Sequence, residues 1–326
     1  MDTQQRVLAC LADGQFHSGE ALAGRLGLSR AAIWKATRAL AAAGVEIHAV
    51  RGRGYRLAGS LEPLDEASIR VELGPLSTAL LDRLEILTET DSTNAHLMAR
   101  ALDGSRPGWV CLAESQRGGR GRQGRRWHSP PGRNIYLSVL WRYAAGPEAL
   151  AGLSLAVGVV TAAVLREVGL AEVGLKWPND LLCGGRKLGG VLLESSGESG
   201  GSCFVVVGIG LNVAMPRAGA EAIDQPWCDL AGELGTATPS RNRLAGRLLD
   251  RLLPLLADYP DLGLEPWLEQ WHALDVLAGN QVRLLLGQRE VLGRHCGVDR
   301  DGALLIEHGG SVQRYHGGEV SLREAG

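Results

Sequence analysis

Lysine is nearly missing from this chain. Of its 34 basic residues only Lys35, Lys176 and Lys187 are lysines, and arginine carries the rest of the positive charge. Paired cysteines are missing altogether. Cys10, Cys111, Cys183, Cys203, Cys228 and Cys296 are scattered and form no C-x-x-C, which leaves no zinc motif, no other metal site and no disulfide framework to expect. Long unbroken apolar runs are lacking too. The uncharged stretches Leu150–Leu165 and Ser199–Pro216 are interrupted by Gly and Ser. Each falls short of the roughly 20 residues a bilayer span needs, so both are expected in the core. Asp2 and Asp13 stand where a signal peptide would carry its apolar stretch, so the chain reads as cytoplasmic, with no membrane partner. A net charge of -2 gives no overall pull toward nucleic acid.

What is present is ordinary in bulk: 326 residues, 45% hydrophobic and 21% charged, enough for two or three domains of a globular protein. The charge is uneven, however. Residues 1–60 hold eight Arg or Lys against four Asp or Glu, which leaves -6 on the remainder. A basic end on a mildly acidic body implies a separate task for that end.

Residues 1–58 read as three short helices and a hairpin. Ser18 and Ser29 are candidate N-caps, and Gly44 a left-handed terminator. On the third helix Ile33, Ala36 and Leu40 share one face, while Arg30, Trp34, Lys35 and Arg38 point elsewhere. VEIHAV, RGRG and YRL then read as strand, turn and strand. A helix–turn–helix followed by a basic wing is a DNA-reading arrangement, with Ser29, Arg30, Trp34, Lys35 and Arg38 toward the groove and Arg51 and Arg53 on phosphates. A three-helix bundle with a solvated face, or a protein-docking module, is the alternative. The absence of any acid in RGRGYR favours DNA. A boundary is expected near Glu62–Pro63, where turn residues replace any clean period.

LEILTET, residues 84–90, alternates as a strand should and runs through Asp91, Ser92, Thr93 and Asn94 into the helix AHLMARAL. Such small polar side chains donate and accept, and suit a carbonyl flanked by two N–H groups. Simple N-capping explains them equally well.

The segment GRGRQGRRWHSPPG, residues 119–132, matches the dinucleotide pattern G-x-G-x-x-G. That pattern needs a following helix. Ser129-Pro130-Pro131-Gly132 forbids one, and no βαβ unit leads to the next carboxylate, Glu148. A disordered basic tail is also excluded, because WVCLAES and IYLSVLWR flank the segment as strands. An ordered flap remains, whose glycines let backbone N–H groups approach an anion and whose arginines supply planar forks.

Two of the three lysines lie 11 apart in VGLKWPNDLLCGGRKLGGVLLE. Gly184-Gly185 suits a two-residue turn, which pairs Cys183 with Arg186 and Leu182 with Lys187. Asp180 and Lys187 then share one face of the sheet, as a structural ion pair or as a site. FVVVGIGLNV, residues 204–213, adds a buried strand whose Gly208 and Gly210 leave room for a ligand and whose Asn212 ends it with an amide.

DSTN, ESQRGGRGRQGRRW, KWPNDLL, GRKLGGVLLE and GIGLNV occur here in this order. Together they resemble the bacterial biotin–protein ligases, and the N-terminal winged helix resembles the bifunctional type that also represses the biotin operon. The resemblance covers essentially the whole chain. It implies an α+β protein: a winged helix-turn-helix (1–62), a central mixed-sheet α/β ligase domain of class II synthetase kind (63–274) and an SH3-like C-terminal barrel (275–326). It implies that Ser92, Thr93, Asn94 and Gln116 line a biotin pocket, and that Arg120, Gly121 and Arg122 wrap biotin and its adenylate. Lys187 meets the biotin carboxylate and then the phosphate. Asn179, Asn212 and Trp227 serve the nucleotide, although Met215–Trp227 departs from the family pattern. ATP with Mg²⁺, a biotin carboxyl carrier protein, operator DNA and an adenylate-dependent homodimer are the implied partners. Asp180 is the candidate to orient or deprotonate the acceptor amine. A lipoate ligase, or a ligand-sensing regulator without catalysis, are the rival readings.

Overall fold

The computed structural model describes residues 3–42, 45, 47–57, 62–197, 201–216, 220 and 223–322. The cap expected at Gly44, linker residues 58–61, the start of the run at Ser199, parts of Met215–Trp227 and the last expected barrel residues, 323–326, lie outside these.

The basic end is built from α1 (Thr3–Leu11), α2 (Gly19–Leu26), α3 (Arg30–Ala42), β1 (Ile47–Val50) and β2 (Gly54–Leu57). Ser18 Oγ accepts from the Ala21 N–H at 3.0 Å and Ser29 Oγ from that of Ala32 at 3.1 Å, so both serines cap as expected. Val7, Leu11, Leu22, Ile33, Leu40 and Leu57 form its own small core. The wing is stitched to the helices by two backbone hydrogen bonds between His17 and Tyr55, 2.9 and 2.8 Å. That contact requires Gly54: at φ 97° a Cβ there would lie 2.0 Å from the His17 carbonyl oxygen.

The central part begins with α4 (Glu66–Arg70) and α5 (Pro75–Leu80), then β3 (Arg83–Thr90), α6 (Thr93–Leu102), β4 (Trp109–Gln116) and β5 (Ile135–Tyr143). Next come α7 (Leu153–Glu167), β6 (Val173–Lys176), β7 (Asp180–Cys183), β8 (Arg186–Gly197), β9 (Cys203–Leu211), α8 (Leu230–Leu234), α9 (Arg241–Leu262) and α10 (Glu265–Leu274). The seven strands form one mixed sheet in the order β3-β4-β5-β9-β8-β7-β6, with only β3 and β4 parallel, joined by the α6 crossover. Alternation assigns its faces. Val205 and Val207 join the large core with α7 and α9, whereas Val206, Leu140 and Cys111 pack under α6 with Leu97. Each such fully buried side chain contributes about 1.5–3 kcal/mol.

The apolar stretch around α7 is longer than the sequence run implied. Pro147–Glu167, 21 residues, is long and apolar enough to cross a membrane by length and composition. Ten of the 15 residues of α7 are buried, and the helix packs on α9 and β6 as a core element.

The C-terminal strands β10 (Gln281–Leu286), β11 (Arg289–Val298), β12 (Leu304–His308), β13 (Ser311–Tyr315) and β14 (Glu319–Leu322) make an antiparallel five-stranded sheet in the order β13-β12-β11-β10-β14. Three of its turns fall at the expected Gly309-Gly310, Gly317-Gly318 and Asp301-Gly302, and the β10–β11 turn falls at Gly287-Gln288. Val282, Leu284, Leu304 and Ile306 belong to the same core cluster as α7. Trp177 Nε1 donates to the Gly302 carbonyl at 3.0 Å, which seats this unit beside the β6–β7 turn.

Candidate active site

The β7–β8 hairpin turns at Gly184 and Gly185, both at positive φ (55° and 73°), and pairs Cys183 with Arg186 and Leu182 with Lys187 as expected. One residue further the register shifts. Leu181 faces Gly189, so Leu188 is an extra residue, turned fully into the core. Asp180 then opposes Gly190, which has no side chain to obstruct the diagonal. Lys187 Nζ reaches Asp180 Oδ1 at 2.7 Å, and Lys176 Nζ stands 3.9 Å from Oδ2.

The arginine segment is a folded flap. Gly121 N–H donates to Arg125 O (2.7 Å) and Trp127 N–H to Gly119 O (2.9 Å), with Arg120 and Arg126 paired across it. Only a single 3₁₀ turn follows, at Arg122–Gly124, so no Rossmann helix exists here. Burial pushes the Arg122 guanidinium below its usual pKa, and Asp180 and Glu319 oppose that shift. Arg125 pairs with Glu319, which ties the flap to β14.

Ser92 does cap α6, accepting from Ala95 N–H at 3.4 Å. Thr93 and Gln116 are bound to each other: Gln116 Oε1 accepts from Thr93 N–H (2.9 Å) and lies 3.2 Å from its hydroxyl, while Gln116 Nε2 donates to Ser129 Oγ (3.1 Å). Asn94 Nδ2 donates to Glu194 Oε2 (2.9 Å) and Leu192 O (3.2 Å), and Asn94 Oδ1 accepts from the buried Ser138 hydroxyl at 2.6 Å. Both amide hydrogens of Asn94 are therefore committed, and its remaining capacity is as an acceptor.

Gly208 and Gly210 border the cleft as expected, and they also make room for neighbouring side chains. A Cβ on Gly208 would lie 2.2 Å from Asn94 Oδ1, and one on Gly210 would lie 2.7 Å from the Trp127 ring. Those side chains border the cavity together with the two glycines.

Ser92, Thr93, Asn94, Gln116, Arg120, Gly121, Arg122, Asn179, Asp180 and Lys187 all line one cleft of about 730 Å³. That size suits a small organic ligand. Asn212 and Trp227 line an adjoining recess of about 50 Å³, which shares Lys187, Arg126, Trp127 and His128 with the cleft. Asn179 is thus separated from the other two nucleotide candidates, and its Nδ2 donates to Val191 O at 2.6 Å. The Trp227 segment runs beside Lys187, with Lys187 N–H donating to Pro226 O at 2.9 Å. Asn212 Nδ2 donates to Cys228 O at 3.0 Å, while its buried Oδ1 has no hydrogen-bond partner among the described residues. Trp127 Nε1 is likewise buried without one. Burial lowers the His128 pKa, as does Arg126, so its imidazole is neutral near pH 7.

Comparison with known proteins places the chain in a family. Residues 87–212 match the Biotin/lipoate A/B protein ligase family, residues 3–56 an HTH domain, and residues 278–323 the Biotin protein ligase C terminal domain. The chain is 43% identical to the bifunctional ligase/repressor BirA of Salmonella typhimurium, over 98% of this chain and 97% of that protein. It belongs to the biotin protein ligases. The ligase is also 38% identical to the biotin–[acetyl-CoA-carboxylase] ligase of Mycobacterium tuberculosis, over 79% of this chain and 95% of that one. Among solved structures it resembles the Aquifex aeolicus biotin protein ligase in complex with biotin and ATP, with a TM-score of 0.62 and 28% identity, covering 75% of this chain and all of that one.

On the N-terminal domain of the ligase, Ser29, Arg30, Trp34, Lys35, Arg38, Arg51 and Arg53 are all exposed. Trp34 keeps 52% of its surface in solvent, with the Arg38 guanidinium 5.0 Å from its ring. Arg53 rests on Phe16, 4.2 Å from the ring centroid.

Ser138, Trp127 and Glu319 are among the residues of the site that carried no expectation. Trp127 was within the flap motif and could have been found there. Ser138 lies on β5 and Glu319 on β14, and neither has a local signal.

Proposed function

We propose that the chain activates biotin with ATP as biotinyl-5′-adenylate and transfers it to one lysine of a biotin carboxyl carrier protein, the acceptor subunit of acetyl-CoA carboxylase. The observation that carries this reading is the shared cleft. A lysine–carboxylate pair, a cationic flap and a polar cluster of Ser92, Thr93, Asn94 and Gln116 face one space. The polar cluster binds the ureido ring of biotin, with Asn94 Oδ1 accepting from a ring N–H. The biotin carboxylate attacks the α-phosphate of ATP and pyrophosphate leaves. Arg120, Arg122 and Lys187 offset the charge that grows on the phosphoryl oxygens, while Gly121 lets the flap backbone approach. Asn212 and Trp227 hold the adenine, the amide oxygen of Asn212 accepting from the exocyclic amine and Trp227 stacking; Asn179 borders the same nucleotide. The orphaned Oδ1 supports this assignment, since a buried acceptor left unpaired costs about 1–3 kcal/mol.

Mg²⁺ enters with ATP. Among the described residues no group of three or more His, Cys, Asp or Glu could hold a metal ion, and Asp180 is engaged by both lysines. The ion would be held chiefly by the triphosphate, whose charge it would reduce.

In the second reaction the acceptor amine, oriented by Asp180, attacks the mixed anhydride and AMP leaves. We further propose that residues 1–62 bind operator DNA upstream of biotin genes, that residues 63–274 and 275–326 form the ligase core and barrel, and that adenylate promotes a homodimer which places two winged helices on two half-sites. The protein works in the cytoplasm.

The test is incubation with ATP, radiolabelled biotin and a carrier domain. Label on the carrier supports the reading. Labelling by lipoate in preference to biotin assigns a lipoate ligase instead, and tight biotin binding with no transfer of either leaves only a sensor.

A further inference from the structure

We propose that Lys176 is a positioning residue for the transfer step, one that keeps the incoming acceptor amine in its neutral, nucleophilic form. This rests on the ligase reading above. The starting point is the lysine inventory. Lys35 stands on the exposed face of α3, and the other two lysines of the chain both line the cleft. They flank a single carboxylate. Lys187 Nζ is bonded to Asp180 Oδ1 at 2.7 Å, whereas Lys176 Nζ stands off Oδ2 at 3.9 Å. At that distance Lys176 makes no hydrogen bond to Asp180, so it adds little as a structural tie. What it adds is charge, at the end of β6 opposite β8.

The third ammonium to enter this space is the substrate's. An acceptor lysine reaching the cleft approaches Asp180 between two fixed cations. A like charge nearby disfavours the protonated form of an amine, and so does partial burial. The other charged groups of the cleft do not cancel that field. Arg120, Arg122, Arg125 and Arg126 on the flap are cations, Glu319 is spent on Arg125, and His128 is neutral. Asp224 borders the cleft from the second loop. Asp180 itself, held between two ammonium groups, orients the amine by accepting its hydrogen bond.

The ammonium loses one proton to solvent under the repulsion of Lys176 and Lys187. Its nitrogen lone pair attacks the acyl carbon, and the C–N bond forms as the C–O bond to phosphate breaks. AMP leaves with the bonding pair, and the second proton passes by Asp180 to solvent.

The experiment supplies purified biotinyl-5′-adenylate to the full chain and follows single-turnover transfer to a carrier domain against pH. Hydroxylamine, largely uncharged at neutral pH and above, serves as a second acceptor over that range. In Lys176→Met the rise of carrier transfer with pH is expected to move up by about one unit. The ratio of carrier transfer to hydroxylamine trapping then falls about tenfold near neutral pH and recovers in alkali. Lys176→Arg, which keeps the charge, retains the wild-type position of that rise even if its bulk lowers the rate. An unmoved rise in Lys176→Met, an equal loss toward hydroxylamine, or a Lys176→Arg profile displaced like that of Lys176→Met overturns the role of Lys176 and leaves the ligase reading intact. Wild-type protein that transfers nothing from the adenylate overturns that reading, and this proposal with it.

Discussion

Lys187 Nζ and Asp180 Oδ1 are 2.7 Å apart across neighbouring strands, with Leu188 as the extra residue between the Leu182–Lys187 pair and the Asp180–Gly190 pair. Both side chains are mostly buried, 16% and 14% exposed. The pair sits where the cleft meets the recess. Lys187→Ala should therefore cripple adenylation, by about 100-fold or more, the usual loss for one charge-stabilising donor. Pyrophosphate release measures it directly. A rate equal to wild type would remove Lys187 from the reacting centre.

Asp180→Asn separates the two reactions. The amide keeps the shape and loses the charge, so acceptor orientation suffers while the biotin carboxylate still finds Lys187. Transfer from purified adenylate to the carrier domain is expected to slow more than adenylate formation does. If transfer is unaffected, Asp180 is only the structural counter-ion of Lys187.

Arg122 is half-buried on the flap and faces Asp180 and Glu319 electrostatically. Arg122→Gly removes a planar fork from the lid of the cleft and adds backbone freedom to it. The adenylate should then escape. Gel filtration after a single turnover with labelled biotin is expected to leave wild type holding label and the variant losing it. Equal retention would place the flap outside intermediate binding.

The parts of this site that could be read from sequence are local ones. The Lys187–Asp180 face follows from a two-residue glycine turn and strand alternation, and the flap follows from prolines that forbid a helix. Ser92 as a cap follows from its place before an amphipathic run. What escaped was long-range. The Leu188 bulge has no sequence mark, because Leu suits a strand and a bulge alike. The commitment of Asn94 depends on Glu194, Leu192 and Ser138, which come from two other strands. Glu319 reaches the flap only because the C-terminal sheet docks on the central core, 194 residues away in sequence from Arg125. The glycines of β9 were legible as close approaches, but whether ligand or side chain fills the gap is a matter of packing.

The wing offers a test of the DNA reading that does not depend on catalysis. Arg51 is exposed at the tip, whereas the Arg53 guanidinium rests on Phe16. Arg51→Ala is expected to weaken binding to DNA upstream of biotin genes about uniformly across sequences and to lower the salt slope by roughly one. Arg53→Ala should cost binding too, together with some stability of the wing, since it removes a cation–π contact. Gel shifts at several salt concentrations read both. A slope unchanged in Arg51→Ala would leave the wing without a phosphate contact there.

The junction of the C-terminal sheet with the central domain carries a buried acid–base pair whose titrations oppose one another. Asp275 Oδ2 and His295 Nε2 lie 3.4 Å apart with no solvent exposure of either side chain. Burial pushes Asp275 from its ordinary 3.8 up to about 6. Burial, with His272 nearby, pushes His295 from 6.5 down to about 4. His295 Nδ1 accepts from Gly297 N–H at 2.8 Å, which fits a neutral ring. A raised carboxyl stabilises the folded state at low pH and loses that contribution as pH climbs toward 6; a lowered imidazole stabilises it at higher pH and loses that contribution as pH falls toward 4. Between about 4 and 6 the folded chain holds a carboxylic acid and a neutral imidazole, and the unfolded chain a carboxylate and an imidazolium. Their proton counts are equal, so the two slopes cancel. Removing either partner exposes the other. Asp275→Asn should make stability rise with pH across that window, and His295→Gln should make it fall, each by up to about 1.4 kcal/mol per pH unit. Urea unfolding at several pH values distinguishes them, and slopes of the same sign in the two variants would show that the pair is not neutral in the folded protein.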